Sequence, residues 1–171
     1  MWKPNKAHEK LFKKLFQDFE KEKRYKILDV GSGRTSLFLL KKLFPTSEIL
    51  AIVYPGDKRK ISGIEESIKS KNFTLKEIDI YNYNSKLKHD FVLCHLLFGE
   101  ATKFSEKSFE RMVQKIFQIE TDYLIIIDIL QDMDVDYRVI LEHTSKKWSI
   151  KKVEFEDKYI GFLLKKRNFK S

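Results

Sequence analysis

Two strand-like segments near the end of this sequence, residues 148–156 and 158–165, are separated by the single residue Asp157. Two strands this close in sequence pair as an antiparallel hairpin, because a parallel crossover connection needs about a dozen residues or more. Any sheet that this chain builds is therefore expected to finish with an antiparallel hairpin.

Short apolar segments alternate with helix-like segments before the hairpin. The predicted strands are 25–30, 49–54, 73–80, 90–95 and 123–128, and the predicted helices are 3–23, 35–44, 57–70, 103–119 and 135–147. This alternation favours a parallel sheet with helices on both faces, that is, a three-layer α/β/α sandwich. With 171 residues, the chain suits about one domain. We expect residues 1–24 to form an N-terminal amphipathic helix and residues 25–171 to form the α/β domain.

Composition excludes several classes of protein. Cys94 is the single cysteine, so an internal disulfide is impossible and a reducing compartment is expected. The longest apolar run, residues 49–54, is far shorter than the ~18 residues of a membrane span, and the start of the chain lacks the apolar stretch of a signal peptide. The four histidines have no zinc-binding spacing. We therefore expect a cytoplasmic protein without a membrane or metal partner.

The net charge of +9 has two interpretations. A basic excess is typical of proteins that neutralise the phosphates of nucleic acid. However, only six of the 34 basic residues are arginine, the side chain best suited to phosphate and base edges. A lysine-rich sequence also results from an AT-rich genome, so charge alone leaves both interpretations open.

Residues 25–40, YKILDVGSGRTSLFLL, contain the most informative motif. A buried strand runs into Gly31-Ser32-Gly33, and a helix begins at once. Such a turn gathers free backbone N–H groups at the positive end of the helix, and glycines let a ligand approach the main chain closely. Asp29 stands two residues before the first glycine. The segment therefore predicts a ligand-binding turn.

Three known glycine motifs fit this turn poorly. A phosphate-binding P-loop needs Gly-x4-Gly-Lys-Ser/Thr, which the sequence lacks. A nucleophile elbow needs Gly-x-Ser-x-Gly, whereas Ser32 stands directly between two glycines. A dinucleotide fingerprint needs a third glycine where Ser36 stands. Asp29 would repel a pyrophosphate and suits a ligand that carries an amine.

The stretch Ile27-Leu28-Asp29-Val30-Gly31-Ser32-Gly33 resembles the first motif of class I S-adenosylmethionine-dependent methyltransferases, and the resemblance extends over residues 25–165. It implies a Rossmann-like, seven-stranded sheet of order 3-2-1-4-5-7-6, whose seventh strand is antiparallel. It also implies S-adenosylmethionine as cofactor. The main chain of residues 31–33, including Ser32, would cradle the amino acid part of the cofactor, and Asp29 would orient its amine.

The resemblance also implies further cofactor-binding candidates, and at one strand the sequence departs from the family pattern. Asp79 would accept a hydrogen bond from the adenine amine and Ile80 would pack on the ring. Cys94 ends the strand that leads to the methyl-transfer pocket. The second strand departs from the family pattern, because the carboxylate that usually holds the ribose is replaced by the segment that ends in Tyr54. The nearest carboxylate, Asp57, follows Pro55-Gly56.

The sequence leaves the catalytic groups and the methyl acceptor unassigned. His95 is a candidate general base or a packed core residue, and nothing resembles the Asn/Asp-Pro-Pro-Tyr element used to methylate amino groups on bases. The basic charge favours RNA as the acceptor. One alternative is a non-catalytic module that binds cofactor or nucleic acid. Another is an NADP-binding reductase with Lys58 and Arg59 near the ribose phosphate.

Overall fold

The computed structural model describes residues 3–57, 64, 72–84, 86–98, 106–129 and 146–168. The helices predicted at 57–70 and 135–147 lie outside the described residues except at a few positions. The strands are β1 Lys26–Val30, β2 Glu48–Val53, β3 Phe73–Glu77, β4 His89–His95, β5 Thr121–Ile129, β6 Trp148–Glu156 and β7 Tyr159–Lys166. The helices are α1 Lys6–Phe16, α2 Arg34–Leu43 and α3 Glu106–Phe117, with a 3₁₀ turn at Ile80–Asn82.

The seven strands form one sheet of order β3-β2-β1-β4-β5-β7-β6. The pairs among β1 to β5 are parallel, and β7 is antiparallel to both β5 and β6. A register shift between Ile150 and Lys152 interrupts the hairpin ladder. The predicted fold class, the strand order and the closing hairpin are therefore confirmed.

Helix α1 is shorter than the helix predicted over residues 3–23. Asn5 caps it, since its side-chain oxygen accepts a hydrogen bond from the Ala7 N–H at 2.8 Å, and the helix ends at Phe16. Pro4 precedes the cap and so lies outside the helix. Phe19 lies beyond the helix yet still packs against the same core. The apolar spacing identified the buried side chains correctly but overestimated the length of the helix.

The third strand also ends earlier than predicted, at Glu77 instead of residue 80. The Asp79 carboxylate accepts a hydrogen bond from the Tyr81 N–H at 3.0 Å and so starts the 3₁₀ turn. A capping aspartate gives the backbone an alternative to the strand ladder. Asp79 and Ile80 therefore leave the sheet at its edge.

The central strands of the sheet are buried on both faces. One face packs on α1 and α2, through residues that include Leu11, Leu37 and Phe91. The other face packs on α3, through residues that include Val92 and Val113. The two layers fix the strands, so the carboxyl ends of β1 to β5 meet at one edge of the sheet. Ligands of open α/β sheets bind at this edge. No helix among the described residues is long and apolar enough to cross a membrane.

Candidate functional site

The turn after β1 is held tightly on its inner side. Gly31 has φ +67°, a left-handed conformation that favours glycine. Ser32 is completely buried, its N–H donates to the Ile52 carbonyl at 3.1 Å, and its hydroxyl donates to the Asp29 carbonyl at 3.0 Å. The hydroxyl and the N–H of Ser32 are therefore both used to hold the turn in place, and the buried side chain does not face solvent.

Asp29 connects the strand to the helix that follows. Its carboxylate is buried and accepts a 2.7 Å hydrogen bond from the Ser36 hydroxyl, which in turn accepts the Gly33 N–H at 3.3 Å. A Cβ atom added to Gly33 would meet nothing within 4 Å, so the space beside this glycine is open. Asp29 and Ser36 thus brace the main chain at a point that a ligand can reach.

A cavity of about 580 Å³ opens beside this turn, across the carboxyl ends of β1, β2 and β3. Its walls are mainly apolar and include two carboxylates, Asp57 and Asp79. The lining residues are Val30, Gly31, Ile52, Val53, Tyr54, Asp57, Ile78, Asp79, Ile80, Tyr81, Leu97, Ser108 and Met112. The structure therefore brings together four of the predicted residues, namely Gly31, Tyr54, Asp79 and Ile80.

A tight turn returns Asp57 to this cavity. The Asp57 N–H donates to the Tyr54 carbonyl at 3.2 Å, and Gly56 has φ +84°. Proline followed by a left-handed glycine is typical of a type II turn. The Glu77 carboxylate accepts the Gly56 N–H at 3.3 Å and so ties the turn to β3. Asp57 was not among the site residues predicted from the sequence, although the Pro55-Gly56 pair was a signal that the chain turns back here.

The third wall of the cavity follows β3. One Asp79 oxygen caps the 3₁₀ turn, as described above, and Ile80 is buried beside it. The Arg111 guanidinium of α3 lies 4.3 Å from the centre of the Tyr81 ring. This contact ties the 3₁₀ turn to α3, as expected for a cation held over an aromatic face. This wall is therefore joined to β3 at one end and to α3, through Arg111, at the other.

Cys94, near the end of β4, and Leu97, just beyond the strand, pack in the same core cluster. Leu97 lines the cavity, whereas Cys94 is fully buried in the core beneath it. Burial, and then the charges of Asp29 and Asp128, hold the pKa of the Cys94 thiol well above its usual value. A protonated, enclosed thiol is a poor nucleophile. The structure therefore places Cys94 behind the cavity wall, not on it.

His95 faces α1 instead of the cavity. Its ring centre lies 4.9 Å from that of His8 and 5.8 Å from that of Phe12, and it is nearly buried. The next residue, Leu96, has φ +55°, and its N–H donates to the Ile127 carbonyl at 2.8 Å. A leucine in a left-handed conformation is rare and often occurs near functional sites.

Structural comparison identifies the fold. The chain superimposes on the 16S rRNA methylase RmtB (TM-score 0.65, 17% identity, 92% of this chain and 61% of that one). It also superimposes on a ribosomal protein L11 methylase from Lactobacillus delbrueckii subsp. bulgaricus (TM-score 0.68, 13% identity, 97% and 81%). A third match is the 16S rRNA methyltransferase RmtF in complex with S-adenosyl-L-homocysteine (TM-score 0.68, 10% identity, 91% and 61%).

The chain has the class I methyltransferase fold. It spans less than two thirds of RmtB and RmtF. No protein-family model and no curated protein matches the sequence.

The residues present fit the cofactor of this fold, S-adenosylmethionine. Gly33 leaves open space beside the braced turn, which suits the approach of an amino acid group. Apolar walls suit an adenine ring, and the carboxylates of Asp57 and Asp79 can accept hydrogen bonds from hydroxyl and amino groups. Among the described residues, no cluster of three or more His, Cys, Asp or Glu could hold a metal ion.

Proposed function

We propose that the protein transfers a methyl group from S-adenosylmethionine to RNA. The observation that carries this proposal is the apolar cavity with two carboxylates, which lies beside the Gly31 turn at the carboxyl edge of a class I methyltransferase sheet. A cytoplasmic location, where this cofactor and RNA both occur, belongs to the same proposal.

The chain's own groups would act by binding and orientation. The main chain around Gly31 and Gly33 would receive the amino acid part of the cofactor, on a turn that Asp29 braces from behind. Asp57 would accept hydrogen bonds from the ribose hydroxyls, in place of the carboxylate that the family usually supplies at the end of β2. Tyr54 lies at the mouth of the same turn and would cover the ribose.

The adenine end would be held by the wall that follows β3. Asp79 uses one oxygen to cap the 3₁₀ turn, and its other oxygen would accept from the exocyclic amine. Ile80 and Leu97 would pack on the two sides of the ring. Ser32 and Cys94 would contribute from behind the cavity, by fixing the turn and the end of β4.

S-adenosylmethionine carries a methyl group that its sulfonium already activates, so the protein mainly has to position the acceptor. We assign no catalytic base. The Cys94 thiol is enclosed and its pKa is raised by burial, and His95 points toward α1. Both observations support chemistry that depends on proximity.

The electrostatics of the cavity disfavour the reductase alternative. A pyrophosphate or ribose phosphate would face the carboxylates of Asp57 and Asp79. No lysine or arginine lines the cavity within the described part of the chain. Lys58 and Arg59, the cations named for this alternative, are not among the described residues. Like charges repel one another at close range, so these two carboxylates disfavour the phosphates of NADP.

Two observations support RNA as the acceptor. The chain carries a net charge of +9, which favours a polyanion. In addition, RmtB and RmtF, on which the chain superimposes, are described as methylases of 16S rRNA. The matched L11 methylase acts on a ribosomal protein according to its name, so a protein acceptor is the main competing outcome.

Two measurements test the proposal. Calorimetric titration of the purified protein with S-adenosylhomocysteine and with NADPH should show binding of the first only. Radiolabelled S-adenosylmethionine is then offered with total RNA, with ribosomal protein and with a metabolite extract. Label in the RNA fraction is expected. Label in protein alone, or in metabolites alone, would reject RNA as the acceptor. Cofactor binding without any label would favour the non-catalytic module.

A further inference from the structure

The opposite edge of the sheet carries a second concave surface. This cleft of about 420 Å³ lies at the amino ends of β1 and β5 and at the carboxyl end of β7. It is lined by Asp18, Phe19, Glu20, Lys23, Tyr25, Tyr123, Lys151, Lys152, Leu163 and Lys165. The strands separate it from the cofactor cavity by roughly 17–20 Å, the length of a typical strand. It is therefore a separate site.

The cleft is lined by more basic than acidic side chains. Lys152 forms an ion pair with Asp18 at 2.6 Å. Within the described ranges, Lys23, Lys151 and Lys165 form no ion pair with a carboxylate, unlike Lys10, Lys14 and Lys166. Glu20 is the remaining acid in the lining. Three cations thus converge on a concave surface, which concentrates a positive potential and attracts anions.

Aromatic rings form the floor between these cations. The Lys23 ammonium lies 5.3 Å from the centre of the Tyr25 ring, and the Lys165 ammonium lies 5.6 Å from that of Tyr123. Phe19 and Tyr123 pack edge to face, with their centres 5.0 Å apart, and both are partly exposed. A lysine-rimmed surface with partly exposed rings offers both phosphate contacts and stacking platforms for bases.

The basic surface continues along the same edge. A neighbouring hollow of about 290 Å³ is lined by Arg24, Lys26, Glu48, Lys88, His89 and Asp90. Arg24 is paired with Glu48 and Lys88 lies near Asp122, so Lys26 is the cation here without a carboxylate partner among the described residues. The two hollows share no lining residue. Successive side chains along a strand point to opposite faces, so Tyr25 and Lys26 place the hollows on the two sides of this edge. Cations on both sides favour a chain of several phosphates over a single small anion.

We propose that this amino-edge surface binds a single-stranded segment of RNA. The rings favour unpaired bases over an acidic protein, which would need cations but no stacking surface. The inference concerns binding at a site remote from the cofactor cavity, and it stands whether or not the protein transfers a methyl group.

The test measures binding of a fluorescein-labelled single-stranded RNA by anisotropy at increasing KCl. The test variant is Lys23→Glu/Lys165→Glu, and the matched control is Lys41→Glu/Lys107→Glu, which changes the net charge equally on α2 and α3. The test variant should lose about tenfold or more in affinity and show a shallower salt dependence, because each lost phosphate contact reduces the slope by about 0.7 for a single strand. The control should lose much less.

Two further measurements separate the explanations. Tyr123→Leu, which keeps an apolar side chain, should weaken RNA binding by about fivefold or more if a base stacks on the ring, and should leave heparin binding unchanged. Equal losses in test and control variants, or no RNA binding by the parent protein, would overturn the proposal. S-adenosylhomocysteine affinity should be the same in all variants. If the parent protein does not bind S-adenosylhomocysteine, that result counts against the proposed methyl transfer but not against RNA binding at this surface.

Discussion

The side chain of Leu97 lies across the backbone of Gly31. A Cβ atom on Gly31 would lie 2.9 Å from Leu97 Cδ1, which is closer than carbon atoms approach in folded proteins. The turn after β1 and the residue beyond β4 are therefore in contact, and both line the cavity at the carboxyl edge of the sheet. A side chain added at Gly31 would therefore change the cavity in two ways, by disturbing the turn and by displacing Leu97.

We expect Gly31→Ala to destabilise the protein and to weaken S-adenosylhomocysteine binding. The φ of +67° costs about 1–2 kcal/mol for a residue with a Cβ atom, and the displaced Leu97 side chain would enter the cavity. Adding Leu97→Ala should restore part of the affinity, since it removes the collision but not the backbone strain. Calorimetry on the two single variants and the double variant measures this coupling. Strictly additive losses would show that the contact with Leu97 is unimportant.

Asp57 should matter for cofactor affinity although it lies beyond the end of β2. Asp57→Asn keeps the size of the side chain and removes its charge, so we expect S-adenosylhomocysteine to bind more weakly by ~1–3 kcal/mol, as for the loss of a charge-assisted hydrogen bond. Glu77→Gln, which alters the anchor of the turn at Gly56, should have a smaller effect in the same direction. Glu110→Gln on the exposed face of α3 is the control. Parental affinity in the folded Asp57→Asn variant would contradict the assignment.

Asp29 is expected to act through the turn that it braces. Ser36→Ala removes the hydroxyl that donates to the buried carboxylate at 2.7 Å, and leaving a buried charge less well satisfied costs about 1–3 kcal/mol or more. Ser36→Ala should therefore lower the free energy of unfolding in urea. Asp29→Asn should weaken S-adenosylhomocysteine binding by ~1–3 kcal/mol. If both variants keep parental stability and affinity, the bracing role is wrong.

The alternation of strands and helices and the single-residue link at Asp157 predicted a parallel sheet that ends in an antiparallel hairpin. The order of the strands was implied by the resemblance of residues 27–33 to class I methyltransferases. The motif around Gly31 also located the turn correctly, because a left-handed glycine between a strand and a helix has a local cause. Asp79 and Ile80 lie at the cavity because the carboxyl ends of parallel strands meet at one edge of the sheet.

The remaining features depend on contacts between distant residues. Cys94 packs on the same face of the sheet as the lining residues Val30 and Leu97. Whether it reaches the cavity therefore depends on how these neighbours cover it, and it is fully buried. The position of Asp57 depends on a turn that Glu77 anchors from the neighbouring strand. Helical periodicity likewise does not encode where α1 ends, because Phe19 continues the apolar spacing and packs on the same core although the helix stops at Phe16.

Gly161 of β7 should be required for the seating of α1. A Cβ atom there would lie 2.5 Å from Leu15 Cδ1 and 3.2 Å from Leu11 Cδ1, and both leucines are fully buried. Gly161→Ala should therefore cost about 1–3 kcal/mol, the range for overpacked cores. Urea denaturation measures the loss as a lower midpoint at unchanged slope. Leu15→Ala should cost less in the Gly161→Ala background than in the parent protein, because the smaller side chain makes room. Equal costs in the two backgrounds would contradict direct contact.

His8 should make the protein sensitive to acid. It is nearly buried between Tyr159, at 4.0 Å between ring centres, and His95, and neither of its ring nitrogens has a hydrogen-bond partner in the described part of the chain. Burial, and then the charge of Lys158, lower the pKa of His8 from 6.5 to about 4. The folded protein therefore keeps this imidazole neutral over a range in which the unfolded chain protonates it.

The sign of the effect follows from proton uptake. As pH falls from about 6.5 toward 4, the unfolded state binds a proton that the folded state refuses, so the free energy of unfolding decreases, by up to ~3 kcal/mol in total. His8→Phe keeps an aromatic ring in this apolar site and should lose that part of the pH dependence. Urea denaturation of both proteins at several pH values provides the comparison. His89 has a pKa that burial also lowers, but it is present in both proteins, as are all carboxylates, so the difference between the two curves isolates His8. Parallel curves for the two proteins over this range would show that His8 is not the acid-sensitive group.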